Sequence, residues 1–435
     1  MTRIQRRKKS RRELSPLHLV LLLFVLLTTA FIAIIRISKS VGRASHEDIN
    51  SIRTRNDNRY VAMQKKNYQS DDIIKMIQGG YLHLVDLRVT SNPFSTDADE
   101  PPYSIQAQFC HLEFAKHKAD PAAVPMFKDL QAQSPACKST RVQVDLYTAA
   151  TAAKQYDKLH EGVSIRSMTP NGFVFHESRC GSTLVANSLV AFEPSQTRVY
   201  SESGPPISAA KLFNMDYELQ SKALLRDVIY LMGRTDDLKE ENLFFKIQSI
   251  GSKSIWAFRK AFPTTPWLYV YRDPVQVMKS HLKVEGTNKA VCLRSQHRPT
   301  HDIFTLTKNI SGRKPDELSN EEFCAAHLAT LCAAAEKELL DSNGLGKVIN
   351  YQDIPKVLID DIIPHHFLDK ADGLSPEQVQ RILKVNEKYS KGRHTNKEWK
   401  DDSKLKEETA WPEMKDASKL FLSPVYERLE KMKTQ

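Results

Sequence analysis

No two of the six cysteines in this 435-residue chain stand at the short spacing that holds zinc, so no metal site is expected. They are too few and too scattered for a disulfide scaffold. In an oxidising compartment Cys110 could bridge to Cys137 and Cys292 to Cys324, but spacing leaves the connectivity open. Cys324 and Cys332 lie on an alanine-rich helical stretch and read as buried free thiols. Past the amino-terminal tail no basic run is interleaved with aromatics, which excludes a nucleic-acid stripe. No repeat is visible, and only one segment is apolar and long enough to span a bilayer, so solenoids and multispanning proteins are excluded.

That segment is Leu17 to Ile35, nineteen almost unbroken apolar positions reading LHLVLLLFVLLTTAFIAII. It matches a hydrocarbon core of about 30 Å. Seven cations precede it, Arg3, Arg6, Arg7, Lys8, Lys9, Arg11 and Arg12, against Glu13 alone. Such a bias keeps the amino terminus cytosolic and sends the bulk of the chain to the lumen. A cleaved signal peptide is the competing reading, yet its apolar region is shorter and ends in small residues, whereas this run ends in Ile34, Ile35 and Arg36. An uncleaved anchor is expected. With the polar stretch that follows, SKSVGRASHEDINSIRTRNDNRY, it resembles the anchor and stem of Golgi-resident transferases, which implies a single-pass type II Golgi membrane protein.

The formal charge of +11 comes partly from that tail, and the mildly basic remainder suits an anionic ligand. Asn309 opens an NIS glycosylation acceptor of the kind found on a lumenal loop. The chain divides into a basic tail (1–16), the anchor (17–35), a charged stem (36–75), an unassigned region (76–165) and a main domain (166–435). The unassigned region mixes strand-like YLHLVDLRV and YSIQAQFCHLEF with helical DLYTAATAAKQYDKL. It is either a small accessory domain or a decoration on the main one.

The main domain alternates short apolar strands with helices. GFVFH, TRVYS, LFFKI, WLYVY and KVINY are the strands, and the intervening helices include ISAAKLF, YELQSKALLRDVIYLM, VQVMKSHLK and EEFCAAHLATLCAAAEKELL. This pattern predicts an α/β fold, a P-loop-like parallel sheet flanked by helices. Ligands of such sheets bind beyond the strand carboxyl ends. There the chain carries HESRCGST, SESGPP, KIQS and YRDP, four loops suited to phosphate or sulfate chemistry.

The first loop lacks the lysine of a triphosphate-binding G-x-x-x-x-G-K-[ST] motif, since Ser182 and Thr183 follow Gly181 directly. A shorter anion cradle remains, formed by backbone N–H groups from Gly181 to Leu184 at a helix start, with Arg179 adding charge. SRCGSTLVANSL followed by WLYVYRDPVQVMKSHL resembles the paired signature of sulfotransferases that use 3′-phosphoadenylyl sulfate (PAPS). The resemblance covers about residues 170–400 and extends through LFFKIQSIGSKSIWAFRKAFPTTPWLYVYRDP and GKVINYQDI, which are similar to protein-tyrosine sulfotransferases. It implies that Arg179, Cys180, Gly181, Ser182, Thr183 and Leu184 hold the 5′-phosphosulfate, and that Arg272 and Ser280 hold the 3′-phosphate. VNEKYSKGRHTN looks like the family's closing basic loop and adds Lys391 and Arg393, although a helix C-cap with favourable cations explains that stretch as well.

Sulfuryl transfer needs a base for the acceptor hydroxyl, a cation at the departing phosphate oxygen and donors around the sulfonyl oxygens. Glu202, ending the second strand, is the expected base, and Lys246, ending the third, the expected cation. Two features depart from the commonest family pattern: Arg179 stands where cytosolic members place lysine, and Gln248 where they often place a catalytic histidine. His176 and Glu177 therefore stay open as alternative bases, and Cys180, beside Arg179 and a helix start, as a candidate nucleophile. The resemblance implies a hydroxyl acceptor, carbohydrate or protein tyrosine. Two rival functions stay open: an ATP-dependent phosphotransferase, and a membrane-tethered nucleotide-binding scaffold without catalysis.

Overall fold

The computed structural model describes residues 70–433 apart from 90–92, 140, 163–164 and 394–397. The expected anchor and all but the end of the stem lie outside the described residues. Among the described residues no helix is long and apolar enough to cross a membrane. The last residues of the expected stem open a helix, Ser70–Gln78.

Five strands form the core sheet: β1 (Gly172–His176), β2 (Thr197–Ser201), β3 (Asn242–Lys246), β4 (Trp267–Tyr271) and β5 (Gly346–Asn350). Their spatial order is β5-β4-β1-β3-β2, and every pairing is parallel. The strands are apolar throughout because helices cover both faces. Side-chain alternation assigns Phe173 and Phe175 to an aromatic face with Phe258 and Trp267, and Val174 to an aliphatic face with Val185, Leu189 and Ile349.

The covering helices start where the sequence supplies caps. Helix α1 (Ser182–Ala191) is capped by Gly181, whose left-handed φ of 84° favours glycine. A second reason for glycine is steric, since a Cβ there would collide with the Tyr351 ring. Helices α2 (Gly204–Lys211) and α3 (Glu218–Met232) follow β2, and α4 (Ile255–Ala261) follows β3. Helix α5 (Pro274–Leu282) has Pro274 in its first turn, and the Asp273 carboxylate accepts the Gln276 N–H at 3.0 Å. The long α6 (Asn320–Leu340) opens with a capping box of Ser319 and Glu322.

The region left unassigned by the sequence contributes a three-stranded antiparallel sheet, His83–Arg88, Gln106–Cys110 and Val142–Asp145, followed by the helix Leu146–Leu159. It belongs to the same compact unit as the main sheet, Met63–Gln435. Buried charges fasten it. Tyr103 and Lys154 both bond Asp227 on α3, Arg234 reaches Asp157 at 2.8 Å, and Lys118 reaches Glu240 at 2.6 Å. Breaking one partner of such a pair would strand a buried charge, so these contacts hold the decoration to the core.

Cys110 is bridged to Cys137, and Cys292 to Cys324. Cys324 is therefore not the free thiol expected of it: α6 places it beside the turn that carries Cys292. Cys180 and Cys332 are free and buried. Asn309 is exposed, but it lies on the helix His301–Ser311 rather than on a loop.

Candidate active site

The loop after β1 turns sharply, with positive φ at Ser178 (92°), Arg179 (55°) and Gly181 (84°). Two strained non-glycine residues in one turn are the kind of backbone cost that concentrates at functional sites. No side chain caps α1, so the N–H groups of Ser182 and Thr183 head an open helix N-terminus. Leu184 does not belong with them, because its N–H already donates to the Gly181 carbonyl at 2.8 Å. Cys180 also leaves the predicted set as a side chain. Its thiol donates to the Val270 carbonyl of β4 at 3.1 Å, and burial pushes its pKa up to about 12. A neutral, enclosed thiol is no nucleophile.

Lys246 and Glu202 meet at the ends of β3 and β2. The Lys246 ammonium is fully buried, bonds the Glu202 carboxylate and lies 3.5 Å from the Thr183 hydroxyl. Glu202 is held in a left-handed turn (φ 59°), with its N–H donating to the Lys246 carbonyl at 2.7 Å. Burial raises the carboxyl's pKa, but the charge of Lys246 and its hydrogen bond outweigh that and hold it at about 2. His176 completes the group. Its Nδ1 accepts the Ser178 N–H at 3.1 Å, which leaves the proton on Nε2, 3.6 Å from Glu202. Burial, reinforced by Lys246, lowers the imidazole to about 3, so it rests as a neutral donor; with Nδ1 taken by the Ser178 N–H and the proton on Nε2, it has no free lone pair to act as the alternative base the sequence left open. Glu177 is no base either. It is buried, its pKa raised to about 8 by desolvation, and it accepts the Arg272 N–H at 3.1 Å away from the cleft.

Arg272 and Ser280 come together at the other side of the loop. The guanidinium stacks on the Tyr351 ring 4.0 Å from its centroid and donates through Nε to Gln276 at 2.7 Å. Its Nη2 reaches the Asp402 carboxylate at 3.2 Å and the Ser403 hydroxyl at 3.0 Å. Lys391 and Arg393 do not act as a pair. Lys391 faces Lys246, Glu202 and Arg179, and burial, followed by the Lys246 charge, lowers its pKa to about 8. Arg393 turns to Asp129 at 3.3 Å and donates its N–H to the Ala122 carbonyl.

His176, Glu202, Arg272, Ser280, Lys391, Arg393 and the loop at 181–184 line a cleft of about 720 Å³ along the carboxyl edge of the sheet, while the Lys246 ammonium is buried against Glu202 and Thr183. Nine lysines and arginines line it (Lys128, Arg179, Lys253, Arg272, Arg294, Lys391, Arg393, Lys400 and Lys406) against two carboxylates, Glu202 and Asp402, so its field favours polyanions. Sequence reasoning missed Tyr351, Trp399, Asp402 and Lys406. Tyr351 follows β5 directly and was open to the same strand-end argument. The other three lie far along the chain with no motif to mark them, as does Lys128. Among the described residues no three His, Cys, Asp or Glu side chains are grouped to hold a metal ion.

No family model and no curated protein matches the chain. Solved structures that resemble it include a sulfotransferase domain from the curacin biosynthetic pathway (14% identity, 61% of this chain and 99% of that one, TM-score 0.31). A sulfotransferase domain from a Synechococcus olefin synthase has the same identity and TM-score, covering 61% of this chain and 95% of its own. A Mycobacterium avium sulfotransferase is 11% identical, covering 74% of this chain and 88% of its own, with a TM-score of 0.33.

Proposed function

We propose that the chain transfers a sulfuryl group from 3′-phosphoadenylyl sulfate to a hydroxyl acceptor in the Golgi lumen, held there by the apolar segment at 17–35. One observation carries the reading. Along the sheet edge, in the order β4, β1, β3, β2, stand Arg272 with Ser280, the open α1 N-terminus, Lys246 and Glu202. That row matches, in sequence, the needs of a 3′-phosphate, a 5′-phosphosulfate, a departing oxygen and an attacking hydroxyl. A neighbouring cavity of about 360 Å³ beside Tyr351 and Trp399 offers a flat surface for a purine. Two disulfides favour an oxidising compartment.

In the reaction the acceptor oxygen forms a bond to sulfur as the bond from sulfur to the 5′-phosphate oxygen breaks. Glu202 takes the hydroxyl proton, and Lys246 offsets the charge left on the phosphate. The resting Lys246–Glu202 pair is consistent with these roles: a phosphate oxygen that draws Lys246 away releases a carboxylate whose pKa then rises towards the range of a useful base. The His176 Nε2–H is aimed at the same space as a donor.

The test is turnover with sulfur-labelled donor and a pool of hydroxyl acceptors in the presence of a chelator. Adenosine 3′,5′-bisphosphate should form one for one with sulfated product, and Glu202→Gln should retain nucleotide binding while turnover falls by about 10²–10⁴. Magnesium-dependent formation of ADP from ATP, with no bisphosphate, would overturn the proposal.

A further inference from the structure

The groups proposed to hold the two phosphates leave from neighbouring strands. The loop after β1 leads to the open α1 N-terminus, and β4 leads to Arg272. The pairing of these strands ends at His176 with Val270. One more ladder bond follows, from the Glu177 N–H to the Val270 carbonyl at 3.1 Å. In a parallel ladder the residue that donates such a bond accepts the next one through its own carbonyl, here from Arg272. The chain has by then turned into the anion loop, with positive φ at Ser178 and Arg179. The Glu177 carboxyl takes over from its carbonyl and accepts the Arg272 N–H at 3.1 Å.

Several elements hold the carboxyl there. Glu177 is 1% exposed and shares a hydrogen bond with Cys332 on α6, whose sulfur also accepts the Tyr269 hydroxyl at 3.5 Å. Cys180 adds a second stitch between the loop and β4, since its thiol reaches the same Val270 carbonyl that Glu177 engages. Desolvation raises the Glu177 carboxyl to about 8, so at neutral pH it rests largely as a neutral acid. It therefore spans the gap between two anion subsites without setting a negative charge beside them. Gln276 and Tyr351 fix the Arg272 guanidinium, but it is Glu177 that ties the Arg272 backbone to the loop before α1. A locked link of this kind fixes the distance between the charges that the two subsites can hold together.

We infer that Glu177 is a positioning residue that sets the spacing of the two anion subsites, and so selects a nucleotide whose phosphates stand at the 3′ and 5′ positions. The inference rests on the sulfuryl-transfer reading for the identity of the nucleotide, while the link itself stands on the contacts above.

Calorimetry on the full chain would titrate adenosine 3′,5′-bisphosphate, its 2′,5′ isomer and adenosine 5′-monophosphate into the wild type, Glu177→Gln and Glu177→Asp. Glutamine keeps an oxygen at the same reach and the neutrality of the resting acid, whereas aspartate is one methylene short of the Arg272 N–H. The wild type should prefer the 3′,5′ isomer, and the glutamine variant should keep that preference. In the aspartate variant the 3′,5′ affinity should fall about tenfold, towards that of the monophosphate, whose own affinity stays unchanged. A residue that only supports the fold would weaken all three nucleotides together. That outcome, a wild type indifferent to the two isomers, an aspartate variant that keeps the preference, or a glutamine variant that loses it as fully as aspartate would each overturn the inference. Failure of the donor reading shows separately, as a wild type that binds the 3′,5′-bisphosphate no better than the monophosphate.

Discussion

Two cation–carboxylate pairs stand at different points of one sheet edge, and they are built differently. Lys246 and Glu202 come from the ends of neighbouring strands, with the lysine side chain 0% and the glutamate 25% exposed. Arg272 also comes from a strand end, but its partner Asp402 arrives from a segment 130 residues later and is 49% exposed. The first pair is fixed by the sheet itself. The second joins the strand-end guanidinium to a half-exposed carboxylate, which a phosphate would replace under the proposed function. Under the proposed sulfuryl transfer, the reacting groups would stand where the scaffold is most rigid, and ligand exchange where a surface segment can yield.

The largest effect should come from breaking the rigid pair. Lys246→Ala would remove the cation proposed to meet the departing oxygen, and turnover should fall about 10²–10³-fold in a single-turnover assay. A variant that kept its rate would reduce the pair to a structural contact. Arg272→Ala should come next, weakening bisphosphate binding by about 2–5 kcal/mol in calorimetry, because a desolvated phosphate would lose its charged partner. Unchanged affinity would remove Arg272 from the site.

Lys391 sharpens the contrast through pH. Its pKa is lowered to about 8, so the ammonium is present below that value and lost as pH rises through it. Bisphosphate affinity should therefore decline above about pH 8, and Lys391→Met should flatten that part of the profile. A wild-type profile that stays level would place Lys391 away from the anion. The smallest effect belongs to the replaceable pair. Asp402→Asn removes a partly exposed competitor for Arg272 and should tighten bisphosphate binding by up to about 1 kcal/mol. Weaker binding would make Asp402 part of the site rather than its stand-in.

Much of this fold was legible because each core strand is a short, wholly apolar run ended by a polar loop. The runs beginning at Gly172, Thr197 and Trp267 are strands with the expected bounds. Lys246 and Glu202 stand at strand ends, where parallel sheets bind ligands, whereas Arg272 and Ser280 were singled out by the resemblance of WLYVYRDPVQVMKSHL to the sulfotransferase signature. What the sequence hid depends on tertiary direction. Cys180 and Glu177 sit in the right loop but point beneath it, and the protonation states of His176 and Glu202 follow from burial and neighbours that spacing does not encode. Asp402 and Lys128 reach the cleft across long stretches of chain with no local pattern to mark them.

The most direct test of the account compares adenosine 3′,5′-bisphosphate with adenosine 5′-monophosphate, titrated into the wild-type chain and Arg272→Ala without metal. The account predicts a strong wild-type preference for the bisphosphate that the variant loses, with monophosphate affinity nearly the same in both. Equal affinities for the two nucleotides in the wild type, or a preference that survives the substitution, would contradict the assignment of the 3′-phosphate to Arg272 and with it the sulfuryl-transfer reading.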